Sequence, residues 1–400
     1  MNDYQFGFRK HKSTDMAIHT LVDKFYESIE NDKYMLAVFI DFSRAFDTIS
    51  HDILLKKLHF YGFRGKAHEW IKNYLTNRKQ FVAYKNSYSH IGEINVGVPQ
   101  GSILGPLLFL LYVNDIHNIS SKISCVLYAD DTTIFANGKE LSEVTQVMNT
   151  ELHHINEWIQ LNKLSVNISK TSYMVMSPSS RKCNLIDCKV QLGGQYIDRV
   201  NHTTFLGVII EDTLTWKLQV NNICNKVSKS MGILYRARQI LYGQTLLTLY
   251  NALIKPHFMY CITVWGNTCK TYLHKLHLMQ KKIIRIISYS QFHAHTAPLL
   301  QKFDILNIYQ LNQYFVGIFI YRSLHHELAK SLCNMFVRNV NARNSFNLRS
   351  KYYKKKISQQ SIKIAGPKIW NNFPKECKIS NSINSFKSSL KRFLTKLDDD

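Results

Sequence analysis

The sequence predicts an α+β fold, an antiparallel sheet covered by helices and followed by a helical region and a basic C-terminal region. Three observations carry this. Ser124-Cys125-Val126-Leu127 and Thr132-Thr133-Ile134-Phe135-Ala136 have the β-branched and aromatic bias of paired strands, and they flank the tight turn Tyr128-Ala129-Asp130-Asp131. The apolar run Met35-Leu36-Ala37-Val38-Phe39-Ile40 reads as a central buried strand that ends at Asp41. Leu141, Val144, Met148, Leu152, Ile155 and Trp158 or Ile159 recur at helical spacing, which describes a long amphipathic helix covering a sheet.

The acids at these strand ends matter most. Asp-Asp in a turn often reflects turn chemistry alone, with side chains accepting local backbone N–H groups, and an Asp closing a strand is often a cap. If the strand before Asp41 pairs with the hairpin, however, Asp41, Asp130 and Asp131 converge. Such a cluster repels itself unless a hard cation lies between the oxygens, and octahedral magnesium with positions left for water and phosphate is the natural occupant. The chemistry implied is phosphoryl or nucleotidyl transfer.

After Asp41 come Phe42-Ser43-Arg44-Ala45-Phe46-Asp47 and a helical pattern with Ile49, Ile53, Leu54 and Leu58 on one face, stopping at Gly62. Asp47 sits where an N-cap is expected. Gly97-Val98-Pro99-Gln100-Gly101-Ser102 is a loop that opens onto an apolar helix expected from Leu107 to Ile116, with Pro106 in its first turn. A glycine loop at a helix start suits a phosphate or a nucleic-acid backbone. Beyond the long helix, a loop ending in Asn167-Ile168-Ser169-Lys170-Thr171 leads into a strand from Ser172 to Met176, and Phe205 to Ile209 reads as another short strand before Trp216. Lys170 is either a solvated loop lysine or a charge for a departing pyrophosphate. Leu218, Val220, Ile223, Val227 and Met231, then Leu276, Met279, Ile283, Ile284 and Ile287, mark two further helices.

Composition points to a polyanionic partner. Lysine and arginine number 51 against 28 acids, a net charge of +23, which favours phosphate backbones through counterion release. From Arg338 to Lys396 Glu376 is the single acid, and Lys354-Lys355-Lys356 follow Tyr352-Tyr353, a pairing suited to backbone contact with base stacking. The alternative for that stretch is a solvated basic tail. Aromatic content of 12% and hydrophobic content of 45% exclude wholesale disorder. Cys183 and Cys188 have no matching histidine pair, and Cys261, Cys269, His274 and His277 fit no zinc spacing, so reduced thiols are expected. The longest apolar run, Leu107 to Val113, is too short for a bilayer, and no targeting signal is evident.

The ordered blocks Phe39-Ile40-Asp41-Phe42-Ser43-Arg44-Ala45-Phe46-Asp47, Gly97 to Ser102, Tyr128-Ala129-Asp130-Asp131, Asn167 to Thr171 and Phe205-Leu206-Gly207-Val208 resemble palm motifs A to E of reverse transcriptases, the LINE-type, Jockey-like non-LTR retrotransposons above all. Tyr4-Gln5-Phe6-Gly7-Phe8-Arg9 resembles the block that precedes motif A in those proteins. The resemblance continues through Leu253-Ile254-Lys255-Pro256-His257, Val264-Trp265-Gly266 and Gly366-Pro367-Lys368-Ile369-Trp370-Asn371. It implies an RNA-directed DNA polymerase with a reverse-transcriptase palm. Asp41 and Asp130, with Asp131 as a weaker or outer ligand, would hold two magnesium ions, or manganese, that activate a primer 3′-hydroxyl and steady the triphosphate. Phe46 would be the steric gate against a ribose 2′-hydroxyl, or else a core phenylalanine. Phe42, Gln100, Gly101 and Lys170 would lie along the nucleotide. Phe205 to Val208 would form the primer-grip hairpin, and Phe205, Leu206 and Gly207 would touch nucleic acid together with Arg9, Lys354, Lys355 and Lys356.

The implied partners are an RNA template, a DNA primer and deoxynucleoside triphosphates, with no membrane; the implied location is nucleus and cytoplasm. Residues 1–215 are expected to be partial fingers and palm, 216–300 a helical thumb and 301–400 a basic region. Because the chain begins at the block containing Gln5, upstream fingers segments and an endonuclease are expected to be missing, with polymerisation weak and salt-sensitive binding retained. A catalytically idle nucleic-acid-binding remnant is the main alternative. A nucleotidyl cyclase would carry a Gly-Gly-Asp/Glu-Glu-Phe type turn where this chain has Tyr128-Ala129-Asp130-Asp131.

Overall fold

The computed structural model describes residues 1–178, 188–339 and 346–396, so Cys183 and Arg343 of the basic stretch lie outside the described residues. Two compact units form, one from Met1–Ala17 with Asn31–Asn201 and the other from Ile18–Glu30 with His202–Asp400.

The first unit is built on a five-stranded sheet. In spatial order its strands are Asp198–Arg199, Ser172–Met176, Tyr34–Ile40, Asp131–Gly138 and Ser124–Tyr128. Only the short edge strand Asp198–Arg199 pairs in parallel; the others are antiparallel. Tyr34–Ile40 is central because its apolar residues suit burial on both faces, and only Phe39 is not fully buried. Leu36, Val38 and Ile40 face a core shared with Val144, Met148, Leu152 and Ile155 of the helix Leu141–Leu161, as the helical spacing predicts. The helices His51–Phe60 and Leu104–Tyr112 complete that core through Leu54, Leu58, Leu108 and Phe109.

Two helix boundaries differ from the sequence reading. The first of these helices begins after Ser50, and Asp47 lies in the preceding turn, where its carboxylate is engaged elsewhere. The second begins at Leu104 because Ser102 Oγ accepts from the Gly105 N–H at 2.9 Å and donates to the Pro99 carbonyl at 2.7 Å, closing the first turn early. It ends at Tyr112, and a separate 3-10 turn covers Ile116–Asn118. A ribbon that the sequence left unread, Arg78–Gln80 with Gly92–Ile94 and Ala83–Tyr84 with Ser87–Tyr88, is exposed and too short to show alternation.

In the second unit, the segment whose residues read as one strand, and which the resemblance makes a hairpin, is a hairpin, His202–Phe205 with Val208–Glu211. Leu206 and Gly207 both have positive φ, 47° and 78°, the pattern of a two-residue type I′ turn. This hairpin stays with the helix Lys217–Ala237, since Gln219 Oε1 accepts from the Ile209 N–H and Glu211 accepts from the Leu218 N–H. The hairpin thus falls within the compact unit that takes in the chain from His202 onward. The helix Ile308–Leu324 is buried nearly all round, with Ile383–Thr395 and Ile362–Asn371 packed against it. Its start carries a capping box between Asn307 and Gln310. Ile18–Glu30 belongs to this unit, where Trp216 Nε1 donates to Tyr26 Oη at 2.9 Å.

Candidate active site

Antiparallel register brings the acids to one end of the first unit's sheet. Ile40 faces Thr132, so the next position on each strand carries Asp41 and Asp131. The main chain at Asp41 is fixed from the far side of the sheet. Asn167 N–H donates to the Asp41 carbonyl at 2.8 Å, and Asp41 N–H donates to Thr171 Oγ1 at 3.2 Å. Thr171, itself buried, returns its proton to the Asn167 carbonyl at 2.9 Å. Ser43 N–H donates to the Ser165 carbonyl, and Phe42 bridges Val166. The motif containing Lys170 thus anchors Asp41, while Lys170 itself is exposed.

The hairpin closes with Tyr128 paired to Asp131, leaving Ala129 and Asp130 as a two-residue turn. Ala129 has φ 55°, a left-handed value that costs a non-glycine residue about 1–2 kcal/mol. Asp131 is exposed as a residue, yet partial burial of its carboxyl, then the like charges of Asp130 and Asp41, push its pKa up to about 6. The three acids therefore share one field. Among the described residues, however, no three histidine, cysteine or acidic side chains are gathered into a group that could hold a metal ion. The expected convergence is proximity at one sheet end without a closed ligand cage, as mutual repulsion of three carboxylates favours. The donor set still fits a hard divalent cation, since all three contribute carboxylate oxygen and each gains from a positive charge between them.

The glycine loop is laced to the segment after Asp41. Gly97 N–H donates to the Ile49 carbonyl and Val98 N–H to the Phe46 carbonyl, at 2.8 and 2.9 Å. A Cβ at Gly97, whose φ is 84°, would lie 2.7 Å from the Asp47 carbonyl oxygen. Gln100 Nε2 donates to Asp47 Oδ1 at 2.8 Å, the use to which Asp47 is put instead of capping. Gly101, at φ 81°, has open space at its Cβ position. Beside this loop lies a cleft of about 540 Å³ lined by Asp47, Arg78, Lys79, Glu93 and Gln100 among others.

The other residues expected at the nucleotide and nucleic acid have the following surroundings. Phe42 is buried in the core. Phe46 is half-buried, its ring 4.5 Å from that of Phe109, so it packs as well as faces outward. Arg9 donates to the backbone carbonyls of Asn2 and Gln5, which ties the N-terminal loop together. Phe205 is buried, and the Leu206 carbonyl accepts from Tyr260 Oη at 2.6 Å. In the basic region Glu30 accepts from the N–H groups of Lys354 and Lys355, Lys355 Nζ donates to the Ile29 carbonyl, and Lys354 and Lys356 remain exposed. Lys363 and Lys378 are likewise held within the unit by Asp23, Glu27, Asn347 and the Asn371 carbonyl.

Sequence reasoning missed two features. Gln5 and Gly7 sit directly against the Ala129 turn. In the second unit, a trough of about 480 Å³ is lined by Met231, Gly232, Tyr235, Arg238, Lys282, Arg285, Ile286 and Phe292. A signal for the trough existed: no Asp or Glu occurs from Thr213 to Phe303, while Lys and Arg recur throughout.

Residues 1–210 match the family described as "Reverse transcriptase (RNA-dependent DNA polymerase)", and the chain belongs to that family. Among curated proteins it is 27% identical over 307 residues to the RNA-directed DNA polymerase from mobile element jockey of Drosophila funebris, covering 74% of this chain and 33% of that protein. It is also 27% identical over 315 residues to the probable RNA-directed DNA polymerase from transposon BS of Drosophila melanogaster, covering 74% and 34%. The chain spans about a third of the length of these relatives. A solved telomerase structure from Candida albicans, in complex with the TWJ fragment of telomeric RNA, aligns with 78% of this chain and 53% of its own at 13% identity and TM-score 0.35. No helix among the described residues is long and apolar enough to cross a membrane.

Proposed function

We propose that the chain catalyses RNA-templated DNA synthesis, moving a nucleotidyl group from a deoxynucleoside triphosphate to a primer 3′-hydroxyl. The observation that carries this is the placing of Asp41 and Asp131 at adjacent strand ends, with Asp130 at the turn between the hairpin strands. Asp41, Asp130 and Asp131 are the residues that would hold divalent magnesium. Bound there, such ions supply charge that lowers the pKa of the attacking hydroxyl and neutralises the triphosphate. The chain's own part is preorganisation. Thr171 and Asn167 keep Asp41 from shifting along the strand, and the laced loop from Gly97 to Gln100 keeps the segment with Phe46 in place beside it. Lys170, exposed on the loop that anchors Asp41, would meet the negative charge of the triphosphate. The trough in the second unit offers aromatic faces and cations to the template or primer strand.

Extension of oligo(dT) on poly(A) with dTTP and magnesium tests the reading. The wild-type chain should extend the primer, and Asp130→Asn should reduce the rate by about a hundredfold or more. Salt-sensitive RNA binding without extension by the wild-type chain would favour the binding-only alternative instead.

A further inference from the structure

The N-terminal segment is joined to the acidic hairpin by its backbone and by one side chain. Leu127 N–H donates to the Tyr4 carbonyl at 3.0 Å and Phe6 N–H to the Leu127 carbonyl at 2.8 Å, so residues 4–6 run as a short parallel extension along the strand that leads into the turn. Between these bonds the Gln5 side chain is buried, 3% exposed, and points at the turn itself. Its Oε1 accepts from the Ala129 N–H at 3.0 Å and from the Gly7 N–H at 2.8 Å, while Nε2 reaches the Ala129 carbonyl at 3.5 Å. One amide thus brackets both peptide groups of the residue whose backbone is strained. Gly7 closes the arrangement from below, because a Cβ there would lie 2.4 Å from the Ala129 nitrogen. Arg9 holds the loop in turn by donating to the Gln5 carbonyl at 3.3 Å.

A two-residue hairpin turn with φ above zero at its first central residue usually has glycine there. Here alanine occupies it, and without an outside partner the turn would relax to another geometry, swinging Asp130 and re-aiming Asp131. We propose that Gln5 is a positioning residue: it holds Ala129 in the left-handed conformation and through it sets the direction of the Asp130 and Asp131 carboxylates. The inference deepens the nucleotidyl-transfer reading and rests on it.

The test uses the full chain with Gln5→Met, which keeps the length and removes both the acceptor and the donor. Two readouts are followed beside thermal melting: primer extension, and binding of Mn²⁺ followed by the loss of the free-ion signal in electron paramagnetic resonance. Gln5→Met should lower kcat about tenfold, the effect of losing one preorganised polar contact, with KM for dTTP little changed, and should weaken Mn²⁺ binding. Adding Ala129→Gly, which makes the left-handed conformation free of steric cost, should restore most of both losses. A merely structural Gln5 would lower the melting temperature and lose activity in proportion to the unfolded fraction, with no rescue by glycine, and that result overturns the proposal. Where Gln5→Met does not fold, Gln5→Asn withdraws the amide by one methylene and must show the same ordering and rescue. Asp130→Asn run in parallel separates the two ideas. If the wild-type chain binds Mn²⁺ through Asp130 but extends no primer, the nucleotidyl-transfer reading fails, while Gln5→Met must still weaken Mn²⁺ binding or the Gln5 inference is wrong. A wild-type chain that binds no Mn²⁺ overturns both.

Discussion

The ring of Phe46 lies 4.5 Å from that of Phe109 at an interplanar angle of 31°, joining the segment after Asp41 to the helix Leu104–Tyr112. Under the proposed function a ring in that place would have two jobs, excluding a ribose 2′-hydroxyl on its open side and packing on its closed side. Phe46→Val should therefore raise ribonucleotide incorporation in primer extension and also destabilise the chain by about 1–2 kcal/mol, less than a fully buried truncation because half the ring is already in water. Unchanged discrimination between dTTP and UTP, with the stability loss present, would leave only the packing role.

Metal-free stability should carry the mark of the acid cluster. The Asp131 carboxyl, raised to about 6 from 3.8 by burial and by Asp130 and Asp41, binds its proton more tightly folded than unfolded. An acid of this kind opposes folding once ionised, so the penalty is fully present above pH 6 and disappears as pH falls toward 4. Asp131→Asn should raise the melting temperature at pH 7.5 and have little effect at pH 4. Because the residue is exposed, screening keeps the gain below about 1 kcal/mol, and magnesium should narrow it. An equal gain at both pH values would show that ionisation of Asp131 is not its origin.

How far the fold could be read in advance depended on the kind of signal. The central strand, the hairpin, the long helix and the strand Ser172–Met176 came through because periodicity and β-branched bias act locally and the burial they imply was realised. Asp47 misled because capping is one of several uses for a short acid, and a partner 53 residues away, Gln100, claimed it. Phe205 to Ile209 read residue by residue as one strand, since Leu206 at φ 47° is a poor advertisement for a type I′ turn, and only the family resemblance made it a hairpin. The family resemblance located the acids, yet it could not reveal that Thr171 and Gln5 hold their backbones, because those bonds join segments distant in sequence.

Lys363 illustrates the same limit in the basic region. It lies 2.5 Å from Asp23 and 2.6 Å from Glu27, with Asp23 nearly buried and its carboxyl driven up to about 6 by burial. Lys363→Met would leave that acid without its cation and should destabilise the second unit by about 3 kcal/mol at pH 7.5. The loss should shrink at pH 5, where Asp23 takes up a proton and is buried neutral. Urea unfolding followed by fluorescence reads this unit well, since Trp216, Trp265 and Trp370 are all buried in it. A midpoint unmoved by the substitution would mean that the ion pair contributes nothing net.

The strongest electrostatic contrast in the second unit separates the trough from the basic C-terminal stretch. Lys355, Lys363 and Lys378 donate to Ile29, Glu27, Asn371 and neighbouring groups, which leaves fewer of that stretch's cations for an outside phosphate than its composition implies. The trough, by contrast, belongs to a segment without a single acid, and it sets Arg238, Lys282 and Arg285 beside Tyr235 and Phe292, which are 60% and 70% exposed. Single-stranded RNA binding should therefore depend more on the trough. Lys282→Glu should weaken binding and reduce the slope of log K against log salt by about 1 or more, while Tyr235→Ala should cost about 1–3 kcal/mol with the salt slope nearly unchanged, because stacking releases no counterion. Lys354→Glu should have the smaller effect of the two charge reversals. If fluorescence anisotropy with a labelled oligonucleotide ranks them the other way, the path of the nucleic acid runs over the C-terminal stretch and the trough is not part of it.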